Sequence, residues 1–211
     1  RGYRISKTEA PLKENVAAGL LKLSGWDPKT EGLLDAMTGS GTIAIEAALM
    51  AANIPPSYLR VERALRQPSY KIWNFQSYPW LLKDNFLQEN FKKLLAEVHE
   101  ETEKGLANLS KLKNKIVANE KSEMVYYSAK ENMRKARLEG IVELTLGDAL
   151  ETKPNTEKTL FICNPPYGER LQPGEEDELK SLYKGLGDHW KHKFKGHRAA
   201  LFTGNSEMLK V

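Results

Sequence analysis

The chain has 211 residues, 40% of them apolar and 28% charged, with a formal net charge of +4. That balance suits one well-buried core; no apolar run approaches the ~20 residues of a membrane span, and no signal-peptide segment is present. A single cysteine, Cys163, excludes an internal disulfide framework and fits a reducing cytoplasm; with four scattered histidines it argues against a structural zinc site. The positive balance suits a polyanionic partner as well as an ordinary solvated surface. The chain opens on Arg1-Gly2-Tyr3-Arg4 without a methionine and stops at Val211 in mid-pattern, so a longer parent protein is expected.

Residues 1–12 are basic and end in Ala10-Pro11-Leu12, with Pro11 suited to a first helical turn, where its missing N–H costs nothing. Val16, Ala17, Leu20, Leu21 and Leu23 follow helical spacing and predict a helix over 13–23, ended by Ser24-Gly25. Gly32-Leu33-Leu34-Asp35-Ala36-Met37 reads as a short buried strand. Thr38-Gly39-Ser40-Gly41 follows, then a helix from Thr42 to about Ala52, stopped by Asn53 and Pro55-Pro56. Strand, glycine-rich turn and helix together open a doubly wound α/β unit.

Residues 54–113 break the alternation. An aromatic, irregular stretch with Trp73, Phe75, Tyr78, Pro79 and Trp80 precedes a charged stretch with Leu and Phe at helical intervals. These features predict a largely helical insertion whose aromatics form its own core. The alternation resumes with a strand over 116–118 ending at Asn119-Glu120, and a helix over 122–138 with Ser122 as N-cap and Gly140 as stop. Strands over 142–146 and 159–163, a helix over 176–194 and a strand over 199–203 complete the pattern. Short apolar strands alternating with helices imply a mainly parallel, doubly wound Rossmann-like α/β sheet covered on both faces.

In such a sheet, ligands bind outside the carboxyl ends of the strands. Four strands finish there in Asp35, Glu120, Asp148 and Asn164. One carboxylate after a strand is usually a cap or turn former; four polar ends in consecutive units describe a site. Gly39-Ser40-Gly41 lets backbone approach a ligand at a helix N-terminus. No Gly-Lys-Ser/Thr follows, and no third glycine completes a dinucleotide fingerprint. Asp35 would repel a pyrophosphate and suits a cationic or hydroxyl-bearing ligand. Glu120 is placed to accept from a ribose diol and Asp148 from an adenine amino group. These features describe a nucleoside carrying positive charge, which points to S-adenosylmethionine. Phe161-Ile162-Cys163-Asn164-Pro165-Pro166-Tyr167 then ends a strand in a stiff corner, because neither proline can donate to a ladder. The Asn164 side-chain carbonyl and the Pro165 backbone carbonyl could hold the two N–H groups of an exocyclic amine and aim its lone pair at a methyl group. Tyr167 would stack on the base, worth ~1–3 kcal/mol, and a base inside a helix would first be flipped out.

Asn164-Pro165-Pro166-Tyr167 resembles the signature of class I amino-methyltransferases. Extended through Gly168-Glu169-Arg170-Leu171, it is similar to the bacterial family that makes N2-methylguanine in 23S ribosomal RNA. Arg1-Gly2-Tyr3-Arg4, Ala10-Pro11-Leu12-Lys13-Glu14, Gly39-Ser40-Gly41-Thr42-Ile43 and Glu46-Ala47-Ala48 resemble other parts of that family, as do Phe75, Trp80 and Asn132. The resemblance implies one catalytic domain over 1–211, with a lead-in over 1–26 and the insertion over 54–113. It implies S-adenosylmethionine held by Asp35, Gly39, Gly41, Thr42, Glu120, Asp148 and Asn164, and Asn164, Pro165 and Tyr167 at the target amine. It also implies RNA as partner, 23S ribosomal RNA or a transfer RNA, no metal, a THUMP domain before Arg1 and two further strands after Val211. Two departures stand out: Asp35-Ala36-Met37-Thr38 replaces the usual Asp-Pro-Phe-Cys, and Lys121-Ser122 replaces a second acid after Glu120. Two other readings stay open. One is adenine N6 of DNA or a protein glutamine as target; the other is a non-catalytic module that binds RNA or a partner. The basic run 191–198 is expected to be a solvated helix end rather than a phosphate site.

Overall fold

The computed structural model describes residues 2–4, 12–67, 69–113, 115–167 and 175–211. Arg1, Pro11 and the Gly168-Glu169-Arg170-Leu171 stretch lie outside them.

Among the described residues five strands form one parallel sheet: β1 (Gly32–Asp35), β2 (Ile116–Glu120), β3 (Glu143–Leu146), β4 (Thr159–Cys163) and β5 (Arg198–Leu201). Their order is β3-β2-β1-β4-β5, with all four pairings parallel. β1 and β4 are buried at every position and β2 at all but Glu120, as continuous apolar strands in the middle of a doubly covered sheet must be. β3 and β5 are the more exposed edges. The chain leaves β1 toward β2 on one side and reaches β4 on the other, so the switch in strand order falls between β1 and β4, where such sheets bind ligands.

One face carries α1 (Glu14–Leu23), α2 (Thr42–Ala51) and α6 (Glu123–Lys135). α2 is buried from Thr42 to Leu49, which explains a helix that is apolar nearly all round. The other face is covered by α7 (Glu175–Lys193), whose Leu186 packs with Phe194, Leu34 and Phe161. The β3–β4 connection holds only a 3-10 turn, Ala149–Glu151. A cavity of about 600 Å³ therefore remains beside β2 and β3, lined by Val117, Asn119, Thr145, Asp148 and neighbours.

The insertion is largely helical, as its composition implies: α3 (Tyr58–Arg66), α4 (Pro79–Leu82) and α5 (Asn85–Asn108), with 3-10 turns at Asn74–Ser77 and Leu109–Leu112. α3 occupies a stretch that reads as irregular, because it starts at Ser57 with φ 69° and no side-chain cap. Asp84 caps α5 by accepting from the Leu87 N–H at 3.0 Å. Trp73 stacks on Phe75 and Phe75 on Trp80, with Phe91 edge-on to the first two. Of these rings, Trp73 and Phe91 pack against a satellite core of Val61, Ile72 and Leu95, whereas Trp80 stays exposed.

Element limits differ locally from the sequence pattern. α6 ends at Lys135 because Arg137, at φ 61°, already turns the chain before Gly140. Ser122 holds the N-cap position but makes no side-chain cap bond. Its backbone N–H instead donates to Glu120 Oε1 at 2.9 Å.

Candidate active site

The registers set the polar strand ends side by side. Asp35 pairs with Ala118 and Ile162, so Glu120 and Asn164 each lie two residues beyond the rung of Asp35. Glu120 pairs with Leu146, which places Asp148 two residues beyond in turn. With strands spaced ~4.8 Å apart, the row from Asp148 through Glu120 and Asp35 to Asn164 spans about 14 Å. The structure therefore brings all four together along one carboxyl edge.

Asp35 is 0% exposed. Its Oδ2 accepts from the Thr38 hydroxyl at 2.6 Å, while its buried Oδ1 has no hydrogen-bond partner. Burial pushes its carboxyl up to about 7, with the Thr38 hydroxyl and then the Ala44 backbone N–H opposing and the Glu120 charge adding. Thr38, one of the sequence departures, is thus the residue that anchors this acid. Behind Asp35, burial and then the Asp35 charge push the Cys163 thiol far up, so it stays a neutral core group.

Gly39 and Gly41 adopt φ 57° and 85°, which only glycine takes without strain. A Cβ at Gly39 would meet nothing within 4 Å, so the loop faces open space there. At Gly41 a Cβ would press Met133 and Ile45 at 3.3 and 3.4 Å, so this glycine also lets α2 and α6 close together. The Gly39 N–H donates to Glu120 Oε2 at 2.9 Å. Both Glu120 oxygens thus hold a backbone N–H, and each keeps a lone pair for a further donor. Asp148 caps the turn that follows β3 through the Leu150 N–H and takes the Lys121 ammonium at 2.7 Å. That Lys121 bond, before all other causes, holds the Asp148 carboxyl below its ordinary value. The second sequence departure has become the partner of a proposed adenine contact.

Thr42 is buried at the start of α2. Its side chain turns inward, where Oγ1 takes the Arg4 guanidinium at 3.1 Å and shares a 3.2 Å bond with Ser40. Beside it, the buried Tyr3 hydroxyl donates to Glu46 Oε1 at 3.0 Å; burial, then the Glu46 charge, pushes that phenol well above its usual range. The lead-in segment is thereby pinned to the helix that follows the glycine turn.

Asn164 carries the second orphan: its Oδ1 is buried without a hydrogen-bond partner. Pro165 is buried and Pro166 exposed. The Tyr183 hydroxyl from α7 donates to the Pro166 carbonyl at 3.2 Å and pairs with the Thr203 hydroxyl at 2.8 Å. The Tyr167 ring lies against Gly204, where a Cβ would come within 3.0 Å of Cδ2 and Cε2.

Sequence reasoning missed the residues that tie these pieces together. Asn119, 3% exposed, donates to the Ala36 and Gly147 carbonyls at 3.1 and 2.9 Å and accepts from Thr145 at 2.9 Å, bracing three strand ends. Asn132, marked only by resemblance, donates to the Ser40 carbonyl at 2.9 Å. Arg198, in the basic run, is spent on Glu31 and the Ser24 carbonyl.

A doubly wound parallel sheet, acid-tipped strands around a glycine turn and an Asn-Pro-Pro-Tyr corner are the arrangement of a Rossmann-like methyltransferase domain. The chain belongs to the family described as UPF0020, the RMKL-like methyltransferase domain, which it matches over residues 1–211. It is 37% identical to the ribosomal RNA large subunit methyltransferase K/L of Vibrio cholerae over 212 residues, 99% of this chain and 27% of that protein. Its identity to the protein of the same name from Photobacterium profundum is 38%, with the same coverage. The chain thus spans about a quarter of the length of these relatives. Among solved structures it is similar to SMU.472, complexed with SAH, at 28% identity and TM-score 0.74, covering 99% of this chain and 48% of that one. A predicted N6-adenine-specific DNA methylase from Listeria monocytogenes matches at 26% identity and TM-score 0.76, with the same coverage. No helix among the described residues is long and apolar enough to cross a membrane.

Proposed function

We propose that this domain uses S-adenosylmethionine to methylate the exocyclic N2 amine of a guanine in ribosomal RNA of the large subunit. The observation that carries the reading is the buried, unpartnered Oδ1 of Asn164 at the switch point. A buried acceptor left without a partner costs about 1–3 kcal/mol, a cost that a substrate donor removes.

The chain fits the cofactor on its own terms. Asp35 offers an unpartnered carboxyl oxygen, Gly39 leaves space, and Glu120 keeps spare lone pairs. S-adenosylmethionine, when bound, supplies a methyl group on a sulfonium centre. Glu120 would accept from the ribose hydroxyls, Asp148 from the adenine amino group, and Asp35 would face the cationic part. Thr42 contributes through its position at the start of α2, its hydroxyl being committed to Arg4 and Ser40.

The target amine is a weak nucleophile because its lone pair is delocalised into the ring. Asn164 Oδ1 and the Pro165 carbonyl would each accept one of its N–H bonds, which draws the nitrogen toward a tetrahedral shape and aims the lone pair. Tyr167, leaning on Gly204, offers its ring to the base. Among the described residues no strong base stands at this corner; the amine nitrogen would bond to the methyl carbon, become cationic, and then give its proton to water.

Adenine N6 presents the same pair of N–H groups, and the name of the Listeria structure favours keeping it as a second reading. Labelled S-adenosylmethionine, unmodified large-subunit RNA and nucleoside mass spectrometry separate the two. N2-methylguanosine is the expected product, and N6-methyladenosine would shift the target to adenine. Asn164→Ala should lower turnover by at least about 100-fold while cofactor affinity stays within a few-fold; full activity in that variant would sink the mechanism.

A further inference from the structure

We infer that the insertion holds a divalent metal ion of the zinc class between α3 and α5, on Glu62, His99 and Glu103. His99 and Glu103 stand four residues apart on α5, so both face the same side one turn apart. Glu62 faces them from α3. One ligating atom from each lies within 4.8 Å of the others.

Two of the three residues contribute buried atoms that nothing satisfies. Glu62 is 7% exposed, and its Oε2 takes the Arg137 guanidinium while its buried Oε1 has no hydrogen-bond partner. His99 Nδ1 is likewise buried without a partner. A direct Glu62–His99 bond would have satisfied both atoms, and it is not made. A cation between them satisfies both at once, and exposed Glu103 closes the third side.

The donor set is one imidazole nitrogen and two carboxylate oxygens. That mixture suits zinc, with water completing the shell, whereas magnesium and calcium prefer all-oxygen surroundings. The two carboxylates and the Arg137 guanidinium sum to one negative charge, which favours cation uptake. α5 is already fixed beside the site: Gly105 lets it approach so closely that a Cβ there would lie 2.5 Å from Ile54 Cγ1 and 2.8 Å from the Ala52 carbonyl. The ion would clamp α3 to α5 and, through Arg137, to the end of α6, whose Asn132 holds the glycine turn.

The test is zinc titration of the chelator-treated, dialysed chain by calorimetry, with cobalt absorption as a second probe. One ion per chain is expected, with a rise in melting temperature that grows with free zinc. His99→Ala, and separately the exposed Glu103→Gln, should each weaken binding by at least roughly 10-fold and remove the thermal shift. His192→Ala, in the basic run, should bind as the parent does. Absence of uptake, or parental affinity in both His99→Ala and Glu103→Gln, overturns the inference. A shell without imidazole in zinc X-ray absorption does the same.

Discussion

Replacing Asp35 by Asn tests whether the chain keeps a buried acid for its ligand at the expense of stability. Burial raises the folded carboxyl from 3.8 to about 7. Between those values the folded state keeps a proton that the unfolded state releases, so stability falls as pH rises and levels off above about 7. The full penalty is about 4 kcal/mol at 1.36 kcal/mol per pH unit. Asn can keep the Thr38 bond but puts an amide N–H where Oδ1 had no partner, which costs back ~1–3 kcal/mol. Cofactor-free Asp35→Asn should therefore gain roughly 1–3 kcal/mol over the parent in urea unfolding near pH 8, shrinking to nothing or reversing near pH 4. The same variant should bind S-adenosylmethionine more weakly by calorimetry. A variant less stable than the parent near pH 8, or one with the parent's full pH slope, would refute the reasoning.

Gly204→Ala brings a methyl group to 3.0 Å from the Tyr167 ring without backbone strain, since Gly204 is not at positive φ. The ring must shift, so turnover should drop roughly 10-fold with cofactor affinity unchanged, a split that kinetics and calorimetry read separately. Asn119→Ala takes the side-chain donor from the Ala36 and Gly147 carbonyls and leaves the Thr145 hydroxyl only its longer bond to the Ala118 carbonyl. It should cost about 2–3 kcal/mol in urea unfolding and loosen cofactor binding as well.

Much of the fold was legible because it rests on local pattern. Val- and Leu-rich runs marked the strands, and the order of polar strand ends followed once the sheet was known to be parallel. Asp35, Glu120, Asp148 and Asn164 lie in the row expected of them for that reason. What stayed hidden depends on partners distant in sequence. Nothing near Asn119 announces bonds to Ala36 and Gly147, and nothing near Thr42 says that its hydroxyl faces Arg4 instead of the open edge. Thr38 and Lys121 looked like losses relative to the family pattern, yet one anchors Asp35 and the other pairs with Asp148. α3 escaped although Ser57, a residue type that often caps a helix, precedes it; here Ser57 sits at φ 69° and makes no cap bond. The Gly168-Glu169-Arg170-Leu171 stretch, which bears on the identity of the base, lies outside the described residues.

The side-chain ties divide the edge into two companies. Asn119, Glu120 and Asn132 bind the ends of β1, β2 and β3 to one another. Tyr183, Thr203 and Gly204 steady the corner after β4. At the carboxyl edge these ties stay within one company or the other, while near the opposite end of the strands Thr156 accepts from the Gly32 N–H and Arg198 reaches Glu31. The backbone ladder between β1 and β4 is the seam the two companies share. In the proposed function the first company would hold the cofactor and the second the base, so cofactor exchange and base release would be separate clocks, each set by its own half of the sheet.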